Sequence, residues 1–443
     1  MGFLNLLFKK FSYDKNLNKN EADIKKMQSV KLKNLVKYAF RHSNFYQKII
    51  LDQNIEYEDI DDIDLKDLPT TNKKMIMNNF DEVVTDQNLS KEKVINFIDN
   101  NPEPSALLEN KYHVIHSSGT SGEIGYYIYD NANWELLKAI GASRLFNGFG
   151  LKRKKYAFIG ASDGHYAGIS FFLSPVNRFE QYFYKDFLVM DINYPLKDYI
   201  NKLNELQPDV ISGYPSALRL LLDYQKSNEL SIKPQHVICG GEPLTQRAYQ
   251  KIKKYWQIEP VNYYGTSESI LMGAGQGKDG LYIFDDLIIL EIEDNKTYLT
   301  NLYNYTEPLI RYELNDLISK VQKENKKWPF TYINNISGRQ EDLLWFKNKS
   351  GQKDFIHPIV FAELHIKGLK KFQVVKENDL SLIFRVIPEA NIPIEDVKQK
   401  SKERINEILH NKNMPEVKVE IDLVDNIPND PKTGKFRLIK KMD

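Results

Sequence analysis

Within residues 21–50, Leu32, Leu35, Val36 and Ala39 recur at helical spacing with polar residues between them, the pattern of an amphipathic helix. Asp67-Leu-Pro-Thr-Thr71 interrupts that pattern and offers N-cap residues for a further helix in NKKMIMNNF. The middle of the chain then alternates. Asp209-Val-Ile-Ser212 reads as a short buried strand, followed by Gly-Tyr-Pro and the helical run SALRLLLDYQ. His236-Val-Ile-Cys239 is a second strand, followed by Gly-Gly-Glu-Pro and the helical run TQRAYQKIKKYW, and Pro260-Val-Asn-Tyr-Tyr264 is a third. Strands alternating with helices at this spacing predict an α/β fold with a parallel sheet covered by helices.

In such sheets ligands bind beyond the carboxyl ends of the strands. The turns expected there are Gly213-Tyr214-Pro215, Gly240-Gly241-Glu242-Pro243 and Gly265-Thr266-Ser267-Glu268. From Leu281 to about residue 320 the pattern changes to short β segments, LYIFDDLIILEIE, KTYLTNLY and LIRYELNDL. After Ile336-Ser-Gly-Arg339 a small α+β unit is expected, with strands FQVV, LSLIFRV and EVKVEIDLV and the helix IEDVKQKSKERINEILH. The organisation predicted is a large domain over residues 1–337, with parallel sheet, helices and a β-rich part, and a small mobile domain over 338–443. The chain shows no internal repeat and no low-complexity segment.

A length of 443 residues accommodates two or three domains. The net charge of +1 gives no electrostatic reason to expect a nucleic-acid partner. The basic run Lys152–Lys155 and the acidic run 56–67 read as solvated surface. The single cysteine, Cys239, excludes an internal disulfide and any multi-cysteine metal site, and its apolar setting reads as a buried, inert thiol. MGFLNLLFKKF is too short for a spanning helix, and no stretch approaches the roughly 20 apolar residues that one needs. An amphipathic cap on the body, no stable membrane insertion and a cytoplasmic location are the expectations.

Candidate chemistry starts with Ser117-Ser118-Gly119-Thr120-Ser121-Gly122, whose hydroxyls and glycines suit a loop wrapped around phosphate. A Walker loop ends in a lysine, and here Glu123-Ile-Gly125 leads into Tyr126 and Tyr127 instead. A P-loop phosphotransferase is therefore a poor reading. A metal hydrolase fares no better, because no pair of histidines stands at i, i+4 around a glutamate. Further along come Gly240-Gly241-Glu242-Pro243, Tyr263-Tyr264-Gly265-Thr266-Ser267-Glu268, Arg311-Tyr-Glu-Leu-Asn-Asp316, Gly338-Arg339-Gln-Glu341-Asp and Pro431-Lys-Thr-Gly-Lys435-Phe-Arg437.

In this order the motifs resemble those of the acyl-adenylate-forming (AMP-binding) superfamily. LVKYAFRHSNFYQKII, LPTTNKKMI and GLYIFDDLIILEI look like its phenylacetate–CoA ligase-like and CapK-like branch. The resemblance covers nearly the whole chain. It implies that a small carboxylic acid, aromatic in one reading, attacks the α-phosphorus of ATP to give acyl-AMP and pyrophosphate.

By the same resemblance, Ser117–Gly122 would hold the β- and γ-phosphates and Gly241, Glu242 and Pro243 would line the adenine. Tyr264, beside Gly265, would stack on that ring. Thr266 would bond the α-phosphate, Glu268 would hold Mg²⁺, and Asp316 with Arg339 would bind the ribose. Glu341 would be the hinge. Lys435 would supply the cation that the glycine loop lacks. His165, Tyr166, Gly168, Tyr214 and Pro215 fall where the acyl pocket is expected, with ordinary core and turn roles as the other reading.

The chain departs from the family pattern at four places. Ile124-Gly125 stands where proline and lysine are common in the loop, Asn315 replaces glycine before Asp316, Glu341 stands at a hinge position that is usually Asp or Lys, and the stretch to Ile356-His-Pro358 displaces the glycine near the thiol path. The acceptor therefore stays open among CoA, a carrier-protein thiol, an amine and a sugar hydroxyl. A non-catalytic nucleotide-binding homologue and a homodimer also stay open.

Overall fold

The computed structural model describes residues 3–117, 124–146, 153–162, 164–174, 186–293, 296–314, 316, 318, 320–334, 344–356, 360–361, 364, 366–389, 392–428 and 437–442. The chain divides into two compact units. The first comprises residues 1–115, 126–189 and 202–338; the second comprises 116–125, 190–201 and 339–443.

The first unit opens with helices Phe3–Asp14, Glu21–His42 and Asn44–Leu51. The amphipathic run over 21–50 is two helices because Ser43 leaves helical geometry, and its hydroxyl caps Tyr46 N–H at 3.3 Å. Leu32, Leu35, Val36 and Ala39 are all buried, as their spacing requires. The first helix buries Leu6 and exposes Leu4, Phe8 and Phe11.

Strands β1 (Tyr112–His116) and β2 (Tyr126–Asp130) pair with each other on either side of the glycine-rich loop. The main sheet holds β3 (Lys155–Gly160), β4 (Asp186–Asp191), β5 (Val210–Gly213), β6 (His236–Cys239), β7 (Val261–Tyr264), β8 (Gly273–Gln276), β9 (Leu281–Ile283) and, later in the chain, β13 (Tyr332–Ile333). Its order is β13-β9-β8-β7-β6-β5-β3-β4. The run β3-β5-β6-β7 is parallel, and from β7 through β8 and β9 to β13 every pair is antiparallel. The alternating segments thus build the expected parallel layer, while the hairpins that follow extend the same sheet. A separate three-stranded sheet of β10 (Ile288–Glu293), β11 (Lys296–Asn301) and β12 (Tyr312–Leu314) is antiparallel.

Two long-range ties position the site-bearing segments. Thr71 of the LPTT stretch bridges to Tyr312, with its N–H on the Arg311 carbonyl at 3.0 Å and its carbonyl accepting from Glu313 N–H at 2.8 Å. Arg144, at the end of the largely buried helix Asn131–Arg144, makes a bidentate pair with Asp286 at 2.8 and 2.5 Å. Both side chains are fully buried, and Asn16 also donates to Asp286 at 3.0 Å.

In the second unit, β16 (Leu369–Asn378) and β17 (Ser381–Pro388) form a hairpin. It is flanked in parallel by β18 (Lys418–Leu423) and β19 (Ile439–Lys441). Helix Ile394–Asn411 buries Val397, Ile405, Ile408 and Leu409, and a β14 (Leu344–Lys347) and β15 (Lys353–Ile356) ribbon completes the α+β set. After this helix Lys412 is buried and donates to the Tyr194 carbonyl at 2.9 Å; burial lowers its ammonium to about 8. Among the described residues, no helix is long and apolar enough to cross a membrane.

Candidate nucleotide and acyl site

The carboxyl ends of β5, β6 and β7 carry the turns singled out by the sequence. At β6 the chain turns through Gly241, whose φ of +79° suits glycine. A Cβ there would stand 2.6 Å from the Tyr214 ring, so glycine also admits the aromatic that follows β5. The Tyr214 hydroxyl accepts from Ala161 N–H at 3.3 Å, which fixes the ring against the end of β3. Pro215 opens helix Pro215–Lys226 at the position where a missing N–H costs nothing. Glu242 accepts from Ser216 N–H in the first turn of that helix, a favourable end for a carboxylate. Pro243 is half-buried beside it.

Among the other acyl-pocket candidates, Tyr166 is buried and stands at the N-cap of helix Ala167–Leu173. A Cβ on Gly168 would meet the Phe158 ring at 3.3 Å, and the same ring covers Gly160. Phe158, Gly160, Tyr214 and Gly241 therefore form one aromatic and glycine surface. His165 is held differently: its Nε2 lies 2.6 Å from the Asn101 carbonyl and its ring 5.3 Å from Phe97. A carbonyl only accepts, so Nε2 carries the proton and donates. Burial lowers the imidazole's basicity, so it favours the neutral ring. These bonds make His165 a pin on the 97–101 segment.

The end of β7 supplies the polar part. At Gly265 a Cβ would stand 1.9 Å from the Ile270 carbonyl oxygen, so the tight return of residues 266–270 needs glycine. Thr266 closes this return on itself: its N–H donates to the Ser269 carbonyl at 3.0 Å, and its hydroxyl accepts from Ser269 N–H at 3.3 Å. Glu268 is thereby turned inward, nine-tenths buried. Its Oε1 accepts from Tyr127 at 2.9 Å and from Tyr312 at 3.3 Å, and the two phenol oxygens are 2.9 Å apart. Burial raises both phenols well above their ordinary range, so they remain protonated donors.

At the last residue of β7, the Tyr264 hydroxyl donates to Asp316 Oδ2 at 2.6 Å, and Thr297 donates to the Asp316 carbonyl at 2.9 Å. Two motifs about 50 residues apart thus meet through one hydrogen bond. Close by, Glu307 is fully buried; its Oε2 accepts from Ile128 N–H at 2.7 Å, and among the described residues its Oε1 has no partner. Burial, reinforced by the charge of Glu268, raises the Glu307 carboxyl to about 8.

In the second unit, Ser117 and Gly125 close the base of the glycine-rich loop. Ser117 N–H donates to the Gly125 carbonyl at 2.7 Å, and Gly125 N–H donates to the Ser117 hydroxyl at 2.8 Å. Ser118, Gly119, Thr120, Ser121 and Gly122 lie outside the described residues, as do Arg339, Glu341 and Lys435.

The described residues contain no cluster of three or more His, Cys, Asp or Glu side chains able to hold a metal unaided. Glu268 nevertheless fits Mg²⁺, a hard cation commonly held by one or two carboxylates plus substrate phosphates. Its Oε1 is taken by hydroxyls, and among the described residues nothing donates to Oε2.

Sequence reasoning did not find Tyr127, Tyr312, Glu307 or Phe158. For Tyr127 a signal was present: Tyr127 and Tyr129 alternate on one face of β2 directly after the loop, and each reaches the 267–268 turn, Tyr129 through the Ser267 carbonyl at 2.7 Å.

This architecture is the adenylate-forming ligase fold. The chain superposes on a solved 2-hydroxyisobutyryl-CoA ligase, in complex with 2-HIB-AMP and CoA in its thioesterification state, with a TM-score of 0.57 over 95% of this chain and 90% of that one, at 17% identity. Among curated proteins the chain is similar to protein CapK of Staphylococcus aureus, 25% identical over 351 residues, which is 74% of this chain and 70% of CapK. Indoleacetate–lysine synthetase of Pseudomonas savastanoi is 27% identical over 161 residues, 35% of this chain and 39% of the synthetase. Phenylacetate-coenzyme A ligase of Thermus thermophilus is 25% identical over 134 residues, 26% of this chain and 30% of the ligase. No protein-family model matches the chain.

Proposed function

We propose that this protein activates a carboxylic acid with ATP and passes the acyl group to a nucleophile. The acid's carboxylate oxygen attacks the α-phosphorus, the bond to the pyrophosphate oxygen breaks, and acyl-AMP and pyrophosphate form. A nucleophile then attacks the acyl carbonyl and AMP leaves. Positioning and charge stabilisation dominate such a reaction. The observation that carries the reading is the meeting of Tyr264 with Asp316 beside the inward turn of Glu268, which gathers the nucleotide motifs at the end of β7.

In this reading Tyr264 stacks on adenine against Gly241, Glu242 and Pro243, and Asp316 accepts from the ribose hydroxyls with Arg339 in support. Thr266 donates to the α-phosphate, and the loop from Ser117 to Gly122 cradles the pyrophosphate through N–H and hydroxyl donors. Glu268 holds Mg²⁺, which neutralises phosphate charge when bound. Lys435 of the small domain stabilises charge on the α-phosphate, with Glu341 as the hinge. Tyr214, Tyr166 and Phe158 wall a pocket for a planar or aromatic acid.

The first acceptor to test is the thiol of CoA, as in the phenylacetate-coenzyme A ligase; similarity to the indoleacetate–lysine synthetase supports an amine as the second reading. A carrier-protein thiol or a sugar hydroxyl completes the panel. The test is pyrophosphate release from ATP and Mg²⁺ against a range of carboxylic acids, for wild type and Lys435→Ala. Acid-dependent release that collapses in the variant is expected. ATP binding without release from any acid would instead favour a non-catalytic nucleotide-binding protein, and release unchanged in Lys435→Ala would remove that lysine from the mechanism.

A further inference from the structure

The two phenols on Glu268 have a directional logic. Each hydroxyl carries one proton, and three oxygens lie mutually within 2.9–3.3 Å: Tyr127 Oη, Tyr312 Oη and Glu268 Oε1. An ionised carboxylate only accepts, so the shorter approach gives Tyr127's proton to Oε1. Tyr312 then donates to Tyr127's oxygen and shares its proton with Oε1. All three side chains are at least nine-tenths buried. Oε1 is thus saturated by neutral donors that reduce the carboxylate's charge far less than a cation would.

The phenols come from two different segments. Tyr127 lies on β2, two residues beyond Gly125, which closes the glycine-rich loop on Ser117. Tyr312 lies on β12, four residues before Asp316, the partner of Tyr264. Segments 264–268 and 312–316 are therefore cross-linked twice, once through Tyr312 to Glu268 and once through Tyr264 to Asp316.

We propose that Tyr127 and Tyr312 are positioning residues that lock the Glu268 carboxylate by its Oε1, leave Oε2 as the oxygen offered to a divalent cation, and so set the cation affinity of the nucleotide-bound enzyme. The inference rests on the assignment of Glu268 to Mg²⁺. Partners that orient a ligating carboxylate typically change metal affinity by about 10- to 100-fold when removed.

The test is titration of the full-length protein with Mn²⁺, followed by electron paramagnetic resonance, in the presence of a non-hydrolysable ATP analogue. Tyr127→Phe, Tyr312→Phe and Glu268→Gln are compared with wild type, and thermal unfolding of each is recorded alongside. Tyr127→Phe is expected to weaken Mn²⁺ binding about 10-fold or more, Tyr312→Phe less, and Glu268→Gln most. In pyrophosphate release, the phenol variants should raise the Mg²⁺ concentration needed for half-maximal rate while kcat recovers at saturating Mg²⁺. A purely structural role would lower the unfolding temperature and leave the Mn²⁺ titration in place. Wild-type Mn²⁺ affinity in both phenol variants, with Glu268→Gln impaired, overturns the positioning role alone. Wild-type affinity in Glu268→Gln overturns the assignment of Glu268 and this inference with it. Each phenol variant tests the same statement, so poor folding of one leaves the other to decide.

Discussion

Two buried carboxylates in the first unit solve the same problem in opposite ways. Asp286 meets Arg144 with both oxygens, takes a further bond from Asn16, and sits where Phe284 and Phe330 cover the guanidinium at 4.5 and 5.0 Å. Its charge is neutralised and both of its oxygens are engaged, so it has little left to offer a ligand. Among the described residues Glu268 meets only phenols, through one oxygen, with no cation beside it and its second oxygen not engaged. Burial with a cation makes a structural joint; burial with neutral donors preserves a carboxylate for use. Glu307 is the intermediate case, with one N–H partner and one unpaired oxygen among the described residues, and a carboxyl that burial holds protonated at neutral pH.

The contrast breaks most visibly at the joint. Arg144→Ala leaves Asp286 charged and uncompensated, and is expected to cost about 3–5 kcal/mol in chemical denaturation. The double change Arg144→Met with Asp286→Leu should recover much of that loss, because the pair itself contributes little beyond mutual compensation. Glu268→Gln keeps an acceptor for the phenols, so its unfolding midpoint should stay close to wild type. Its rate of acid-dependent pyrophosphate release should fall by about 10²–10³-fold, the scale for losing one electrostatic group at a reacting phosphate. An equal loss of stability and activity would put Glu268 with Asp286.

Glu307 sharpens the comparison through pH. Its folded pKa is raised from 4.5 to about 8, so between those values the folded state holds a proton that the unfolded state has lost. The associated stability is fully present below about 4.5, declines as pH rises, and is gone above about 8. Glu307→Gln keeps the acceptor for Ile128 N–H and removes the titration. Its unfolding midpoint should therefore fall less than that of wild type between pH 5 and 8, a difference that thermal scans at stepped pH would read. The smallest effect is expected at Tyr264→Phe, which keeps the ring and removes the bond to Asp316. A hydrogen bond to a charged group contributes about 1.5–3 kcal/mol, part of which water replaces, so the KM for ATP should rise about 5- to 10-fold with kcat little changed.

Much of this was readable locally. Alternating runs placed β5, β6 and β7 and the helices after β5 and β6 to within a residue or two, since periodicity and Gly/Pro punctuation are short-range signals. The same turns marked Tyr214, Gly241, Gly265, Thr266 and Glu268 as site candidates. GLYIFDDLIILEI was legible as a family-like stretch, yet nothing in it announced that Asp286 pairs with Arg144, 142 residues earlier. His165 was expected near the acyl pocket because the family resemblance puts its stretch there; its bond to the Asn101 carbonyl depends on how the 97–101 segment lies against it.

Chain order, element type and the chemistry available at each turn are local properties, and the amino-acid string was enough for them. Which strands share a sheet, where β7 switches it from parallel to antiparallel, and which oxygen of Glu268 is left open were settled by folding alone. The reason is distance along the chain: Tyr127 and Glu268 are 141 residues apart and Tyr312 and Glu268 are 44 apart, so no local period couples them. Only when β2, the end of β7 and β12 pack together do three unremarkable side chains become a carboxylate held through one oxygen.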